Sequence, residues 1–439
     1  MKGSGSGALN TSRLEEERRQ GRAAGETVFP ISPRPGHRGP SSRRGWSRRF
    51  ALALLVAGCS PAVVDESRAV VGEPPAVVDG SPALLPDGGG GAPTAPPPPA
   101  ACDASAADGV AVFASNVDTG APQAPGAPPY AIDGCLLAYV APREAGDASG
   151  ALRLRDLGTG EELLLAPAAE APRRPALAGD VVVWEATDDG TRVVRVRRGG
   201  QTQTIRGPFD HAGEPRVEGD AVVLTGWLTA DESGDTDVFL YEIGQAEAVQ
   251  IASGPGQQRF PDISATHVAF ADFSEDPDGR FDEDARDLAD IVVYDRRTRR
   301  AIPRSREGKQ SFPMLGAGER VVAYLEWAPS HPEPKFEQFD LRIGDITAPA
   351  DGDALAASIE QSGRPYVLPE VRGELIEWVQ RPADGNASLR RRPADLSAPA
   401  ADVPGLSASE LFGPSASATI TVVAARSPGG ELELRGVAR

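Results

Sequence analysis

Between Gln258 and Trp327 the chain alternates short apolar, β-branched runs with clusters of Gly, Asp, Pro and Thr. One pattern is written twice there. The first copy runs from Gln258 through Pro261 and Ile263 to Val268-Ala-Phe270, and resumes after an acidic insertion with Asp290-Ile-Val-Val-Tyr294-Asp295. The second runs from Gln310 through Pro313 and Leu315 to Val321-Val-Ala-Tyr324. Runs of this length bounded by turn-forming residues predict strands joined by tight turns. The repeating unit is therefore a small antiparallel sheet.

The unit opens on a marker: Pro, any residue, an apolar residue, any residue, then Gly or Ala. It can be followed from Pro129, Pro175, Pro215, Pro261, Pro313 and Pro369, and in a degenerate form from Pro414. Behind each marker lies an apolar strand, such as Leu136 to Tyr139, Val181 to Trp184, Val268 to Phe270 or Leu375 to Trp378, and an aromatic residue recurs at Tyr139, Trp184, Phe270 and Trp378. Aromatics in register across repeats predict packing between neighbouring units. A sheet this small cannot bury both faces alone, so a period of roughly 40 to 55 residues predicts sheets stacked radially. The fold expected is an all-β propeller of seven blades, with six as the alternative if the Pro414 copy only completes the first blade. The last strands, Ile420 to Val423 and Glu431 to Leu434, fall short of a blade. The segment Gly109 to Ala114 is expected to supply the missing strand and close the ring.

The order Gln-x-x-Pro-x-apolar, carried by Gln258 and Pro261 and by Gln310 and Pro313, followed by Asp290-Ile-x-x-Tyr294-Asp295, resembles the TolB-like propeller repeat. The resemblance spans about residues 129 to 439. It implies a propeller in a periplasmic or cell-surface protein and does not imply an activity. The smaller α/β domain that precedes the propeller in TolB has no counterpart in this sequence.

The polar, arginine-rich opening lacks any apolar period and predicts no folded element. Arg43-Arg44 and Arg48-Arg49 then lead into Phe50-Ala-Leu-Ala-Leu-Leu-Val-Ala57-Gly58-Cys59. A basic segment followed by an apolar run too short to span a bilayer predicts a secretory signal. Val56-Ala57-Gly58-Cys59 resembles the bacterial lipobox, which implies lipidation of Cys59 and removal of everything before it. Ser60 at the next position resembles the pattern of lipoproteins sent to the outer membrane of two-membrane bacteria. From Ser60 to Ala101 the composition shifts to Pro, Gly, Ala and Val, including Gly88 to Gly91 and Pro96 to Pro99. Such a stretch lacks the apolar surface to fold and predicts a disordered spacer of ~3 Å per residue where proline stiffens it. The expected organisation is a leader and signal peptide over 1–58, a tether over 59–101 and the propeller over 102–439.

Residues 1–58 carry 11 basic and 4 acidic groups, which leaves the remainder at −25 against −18 for the whole chain. That balance argues against nucleic acid and anionic membrane surfaces as partners and suits cations or basic proteins. Beyond Cys59 the cysteines are Cys102 and Cys135, and in an exported protein they are expected to form a disulfide.

The chemistry-bearing signals are few. His211, His267 and His331 fall in different repeats, and no nucleophile elbow, zinc-binding His-Glu-x-x-His or phosphate loop occurs. The acidic insertion after Phe270 places Asp276, Asp278, Asp282 and Glu283 around Gly279. Oxygen ligands at alternate positions with a glycine for the sharp turn fit a hard cation, so Ca2+ is the candidate ligand. The competing reading is a solvated hairpin tip facing the basic run Arg296, Arg297, Arg299, Arg300, Arg304 and Arg306. Taken together, the expectation is a lipid-anchored propeller in the cell envelope that binds a protein or glycan without catalysis. The alternative is a hydrolase or lyase with residues dispersed around the propeller channel.

Overall fold

The structure is a computed structural model; it describes residues 110–115, 128–143 and 149–439, except 231, 233, 277, 282–288, 307, 317–319, 328–337, 362–367 and 384. The lipobox with Cys59, the tether and Cys102 lie outside the described residues. No helix among the described residues is long and apolar enough to cross a membrane.

The chain enters on β1 (Val110–Ser115) and then builds one blade after another. Blade 1 holds β2 (Tyr130–Asp133), β3 (Leu136–Val140), β4 (Leu152–Asp156) and β5 (Glu162–Ala166). Blade 2 holds β6 (Arg173–Ala178), β7 (Val181–Asp188), β8 (Thr191–Arg198) and β9 (Gln201–Thr204). In blade 3 come β10 (His211–Glu218), β11 (Ala221–Trp227), β12 (Thr236–Glu242) and β13 (Val249–Ala252). Blade 4 consists of β14 (Gln258–Ile263), β15 (His267–Asp272), β16 (Asp290–Asp295) and β17 (Arg300–Arg304). Blade 5 follows with β18 (Gln310–Gly316), β19 (Val321–Glu326), β20 (Gln338–Asp345) and β21 (Ala354–Glu360). Blade 6 is β22 (Glu370–Arg372), β23 (Leu375–Gln380), β24 (Ala387–Pro393) and β25 (Ala401–Ala408). The last blade takes β26 (Ser415–Ala416), β27 (Ile420–Arg426) and β28 (Leu432–Ala438) from the C-terminal end of the chain.

Each sheet has four antiparallel strands, and the fourth strand of the seventh is β1, in the order β1-β28-β27-β26. The ring therefore closes as the short C-terminal strands predict, and there are seven blades, not six. Phe113 fixes the closure by packing against the backbone of Gly436, where a Cβ would stand 2.1 Å from the ring. At the same seam Arg155 of blade 1 donates to the Phe113 carbonyl at 2.6 Å.

The marker prolines all fall on or just before the innermost strands. In blades 2 to 5 each sits in a bulge, with Arg174-Pro175, Glu214-Pro215, Phe260-Pro261 and Phe312-Pro313 left out of register. Proline has no N–H to give the ladder, so a bulge is where a strand can carry it. The residue opposite each bulge is large: Trp184, Leu224, Phe270 or Tyr324. The recurring aromatics are buried between blades, as expected. Trp184 packs with Ala131 and Leu152 of blade 1, and Phe270 with Val223 and Val238 of blade 3.

One expectation is corrected. The acidic insertion joins β15 to β16, whereas Arg296, Arg297 and Arg299 lie in the turn from β16 to β17, at the opposite end of the antiparallel sheet. Arg296 instead pairs with Glu242 of blade 3 at 3.0 Å, and Arg306 with Glu326 at 2.7 Å. Arg304 is sealed in the interior against Asp353, both side chains 1% exposed, and Tyr324 donates to the same carboxylate. The run that reads as one basic patch is divided among three separate jobs.

Candidate functional site: the central channel

The seven inner strands surround a cavity of about 140 Å³, lined at successive levels by the same marker positions from every blade. The residue before each proline forms the first level. Arg174, Glu214, Phe260 and Phe312 stand there with φ between 49° and 56°, a left-handed conformation that costs a branched or bulky residue about 1–3 kcal/mol. Each is held in place by neighbours. Glu214 receives hydrogen bonds from Thr225 and from the Phe260 backbone and pairs with Arg259 at 2.5 Å. Its own backbone N–H donates to Glu185 at 2.7 Å, and Glu185 also pairs with Arg173 and Arg174. Burial works to raise the Glu214 carboxyl, but Arg259, Arg174 and the hydrogen bonds prevail and hold it at about 2. This ladder of alternating charges ties blades 2, 3 and 4 together at the channel.

Beside it lies an aromatic cluster. Phe260 and Phe312 approach to 4.2 Å between centroids, and Phe281 from the acidic insertion meets Phe260 edge-on at 4.8 Å. Lys309 lies 4.7 Å from the Phe281 centroid and 5.0 Å from that of Trp327, and Arg259 lies 4.7 Å from the Phe260 centroid, all within cation–π range. The insertion is thus anchored by its aromatic residue.

One residue past the proline comes the polar level, where Arg216, Asp262 and Glu370 enter from blades 3, 4 and 6. Asp262 accepts from the Leu315 backbone at 2.7 Å and lies 3.8 Å from Arg216. Side-chain exposures of 30% for Arg216 and 22% for Asp262 show that water reaches this level. The Glu370 side chain makes no hydrogen bond or close ion pair with the described residues, while its backbone pairs with Glu377 in the sheet. Burial, and after it the like charge of Asp262, raise its pKa to about 7 against the opposing effect of Arg372 and Arg216. Asp262 is raised as well, again chiefly by burial.

Two positions further along, Arg372 reaches across the channel from blade 6. It meets Asp133 of blade 1 at 3.4 Å and Glu218 of blade 3 at 3.6 Å. Asp133 in turn accepts from the Gly179 backbone of blade 2 at 2.7 Å. Arg372 therefore forms a crosspiece beneath the polar level, and its charge acts on Glu370 as well as on Asp133 and Glu218.

The residues singled out in the sequence do not converge here. Asp276 is buried and its carboxylate accepts from the backbone of Asp278 at 3.0 Å and of Gly279 at 3.1 Å; Asp278 is exposed and accepts from Arg280. Asp282 and Glu283 lie outside the described residues, and among the described residues no group of three ligating side chains could hold a metal ion. Cys135 is disulfide-bonded in the turn between β2 and β3. His211 takes the Arg192 backbone N–H on Nδ1 and faces the Ala230 carbonyl with Nε2, away from the channel lining. The channel residues were missed in the sequence although a signal existed. Arg216, Asp262 and Glu370 follow the marker proline directly, and a polar residue at that position is legible once the position is known to face inward.

No protein-family profile and no curated protein match the chain. Solved structures do. The β-propeller domain of the Trilobed protease from Pyrococcus furiosus is 10% identical, with 70% of this chain and 91% of that one covered, at a TM-score of 0.51. TolB from Acinetobacter baumannii is 12% identical over 71% of this chain and 80% of its own, at a TM-score of 0.35. The tricorn protease gives a TM-score of 0.48 at 13% identity over 75% of this chain, which spans only 34% of the protease. At 10% identity the first of these shows a shared propeller fold and nothing beyond the fold.

Proposed function

We propose that the protein is a lipid-anchored binding propeller of the cell envelope, acylated at Cys59, extended on the 59–101 tether and engaging a partner through the channel of its 102–439 domain. On this reading Cys102 is the disulfide partner of Cys135. The partner class is an envelope protein or glycan. The observation that carries the proposal is the channel itself. Charged side chains from several blades converge on a water-reached chamber, and their committed contacts are ion pairs and backbone hydrogen bonds, an arrangement suited to holding a ligand. The lipobox-like stretch and the tether suit a module that must reach partners beyond the lipid surface. The test is affinity capture from envelope extracts with the wild-type chain and with Ala176→Trp, which places an indole in the cavity. Loss of the captured partner in a variant that keeps its thermal transition supports the channel as the binding site. Unchanged capture refutes it.

A hydrolase or lyase with a dispersed site has one observation in its favour. Asp262 and Glu370 are paired carboxyls in a cleft, and a carboxyl poised near pH 7 is suited to general acid–base work. Turnover of envelope glycans or peptides that vanishes in Glu370→Gln would establish that reading in place of the first.

A further inference from the structure

The seam that closes the ring is held on its outer side by a short strand. Among the described residues β1 pairs only with β28, and the ladder shifts register at Phe113. Val112 beside it is exposed. Blade 1 supplies further hold: Phe113 joins the apolar cluster of Tyr130, Ile132 and Leu137, with Leu157 packed against it, and Arg155 donates to the Phe113 carbonyl at 2.6 Å. The inner strands of the seam have contacts of their own. Tyr130 donates to the Gly413 carbonyl and accepts the Ala424 N–H, and the Ile132 N–H donates to Ser415 Oγ at 3.2 Å. A six-residue edge strand with chain leaving at both ends is therefore an element that can open while the rest of the ring stays intact.

Cys135 sits on the turns of blade 1 that serve this seam. Its carbonyl accepts from the Leu157 N–H at 2.8 Å, and Leu137, two residues on, belongs to the cluster that holds Phe113. The cysteine is disulfide-bonded and partly exposed. The other cysteines of the chain, Cys59 and Cys102, both precede β1. A bond from Cys135 to either encloses β1 in a covalent loop that starts at Cys135 and returns to blade 1 at Tyr130.

We infer that this disulfide is a redox-sensitive latch on the closing strand. Oxidised, it keeps β1 seated on β28; reduced, it lets β1 leave and return, so that the seventh blade alternates between four strands and three. The inference rests on the Cys102 pairing of the reading above. Its physical basis is entropy. A detached β1 held in a closed loop gains little freedom, whereas the same strand on an open chain gains that of the whole segment before it. The latch opens by exchange with a dithiol. One thiolate attacks a sulfur of the bond and forms a mixed disulfide, and the second thiol displaces it. The dithiol leaves as a disulfide, and Cys135 and its partner are left as thiols, having gained two electrons and two protons. Departure of β1 uncovers the β28 edge, whose backbone groups are then unpaired.

The experiment is limited chymotrypsin digestion of the full chain in detergent, before and after dithiothreitol, well below the melting temperature. Cleavage after Phe113 reads the latch, because that ring is buried while β1 is seated. The expected result is a rise of at least about tenfold in the rate of this cut on reduction, reversed on reoxidation. The near-ultraviolet dichroism of the buried Trp184 and Trp378 is expected to stay unchanged. Cys102→Ser and Cys135→Ser are expected to show the fast cut without reductant and no further response to it. Reduction acts on wild-type chain that has already folded, so the answer does not depend on how well a variant folds. Equal cutting of the oxidised and reduced chains overturns the latch. So does reduction that spreads cleavage over all the blades, which would make the bond a support of the whole fold. A peptide map under non-reducing conditions identifies the partner of Cys135. Cys59 in that place overturns the pairing on which the inference rests, and the lipid anchor with it. Cys102 in that place with an unchanged Phe113 cut overturns the latch and leaves the binding propeller standing.

Discussion

Replacing Glu370 by glutamine should stabilise the protein, and by an amount that depends on pH. The folded channel raises this carboxyl from 4.5 to about 7, so the native state binds its proton more tightly than the unfolded chain does. Below about pH 4.5 both states are protonated and the residue imposes no penalty. As pH rises the unfolded chain gives up the proton first, and the penalty is complete above about 7. A shift of this size corresponds to roughly 3 kcal/mol, and water in the channel reduces that to about 2 kcal/mol. Glutamine keeps the shape without the charge and breaks no hydrogen bond of the carboxylate among the described residues. For a domain of about 330 residues the unfolding entropy converts 2 kcal/mol into a rise of about 3 °C. Thermal unfolding followed by circular dichroism at pH 4.5 and pH 8 reads the difference directly. Coincident melting at low pH with the variant higher at pH 8 is expected. A variant that melts no higher at pH 8, or one with the same gap at both pH values, refutes the account of Glu370 as a carboxyl whose proton the folded channel retains.

Gly436→Ala should lower stability by about 1–3 kcal/mol through its clash with Phe113 and should expose β1 to protease, because that strand is held by its pairing with β28; an unchanged melt and cleavage pattern would contradict the closure described. Tyr130→Phe removes a hydroxyl that donates to the Gly413 carbonyl and accepts the buried Ala424 N–H at 2.8 Å. It should cost about 1–3 kcal/mol in chemical denaturation, and a loss under about 0.5 kcal/mol would mean that water replaces it. Cys59→Ala should move the protein from the membrane to the soluble fraction, and mass spectrometry of the wild type should find an acylated Cys59 as the mature N terminus. If the acidic insertion is a calcium site, millimolar calcium raises the melting temperature and Asp278→Ala with Asp282→Ala abolishes the rise; equal responses in the two proteins leave the loop a solvated tip.

Much of the architecture was legible before any coordinate. The Pro-x-apolar-x-Gly marker is a local property: a strand that must carry proline needs a bulge, and the bulge needs a bulky residue opposite, so Pro261 and Phe270 are written into one repeat together. The shortfall of strands after Pro414 likewise required β1 to complete the last blade, since an open edge would leave backbone groups unpaired. What the sequence alone could not decide is which charges meet. Arg304 and Arg306 stand two residues apart, yet one is sealed against Asp353 and the other is partly exposed beside Glu326. Asp262 and Glu370 are more than a hundred residues apart and share one chamber. Strand pairing is dictated by periods of a few residues, and a single chain carries those in order. The channel is an intersection of seven blades, and its electrostatics depend on distances that exist only after the ring has closed, when Arg372 meets Asp133 and Glu218 and Asp262 comes close enough to act on Glu370.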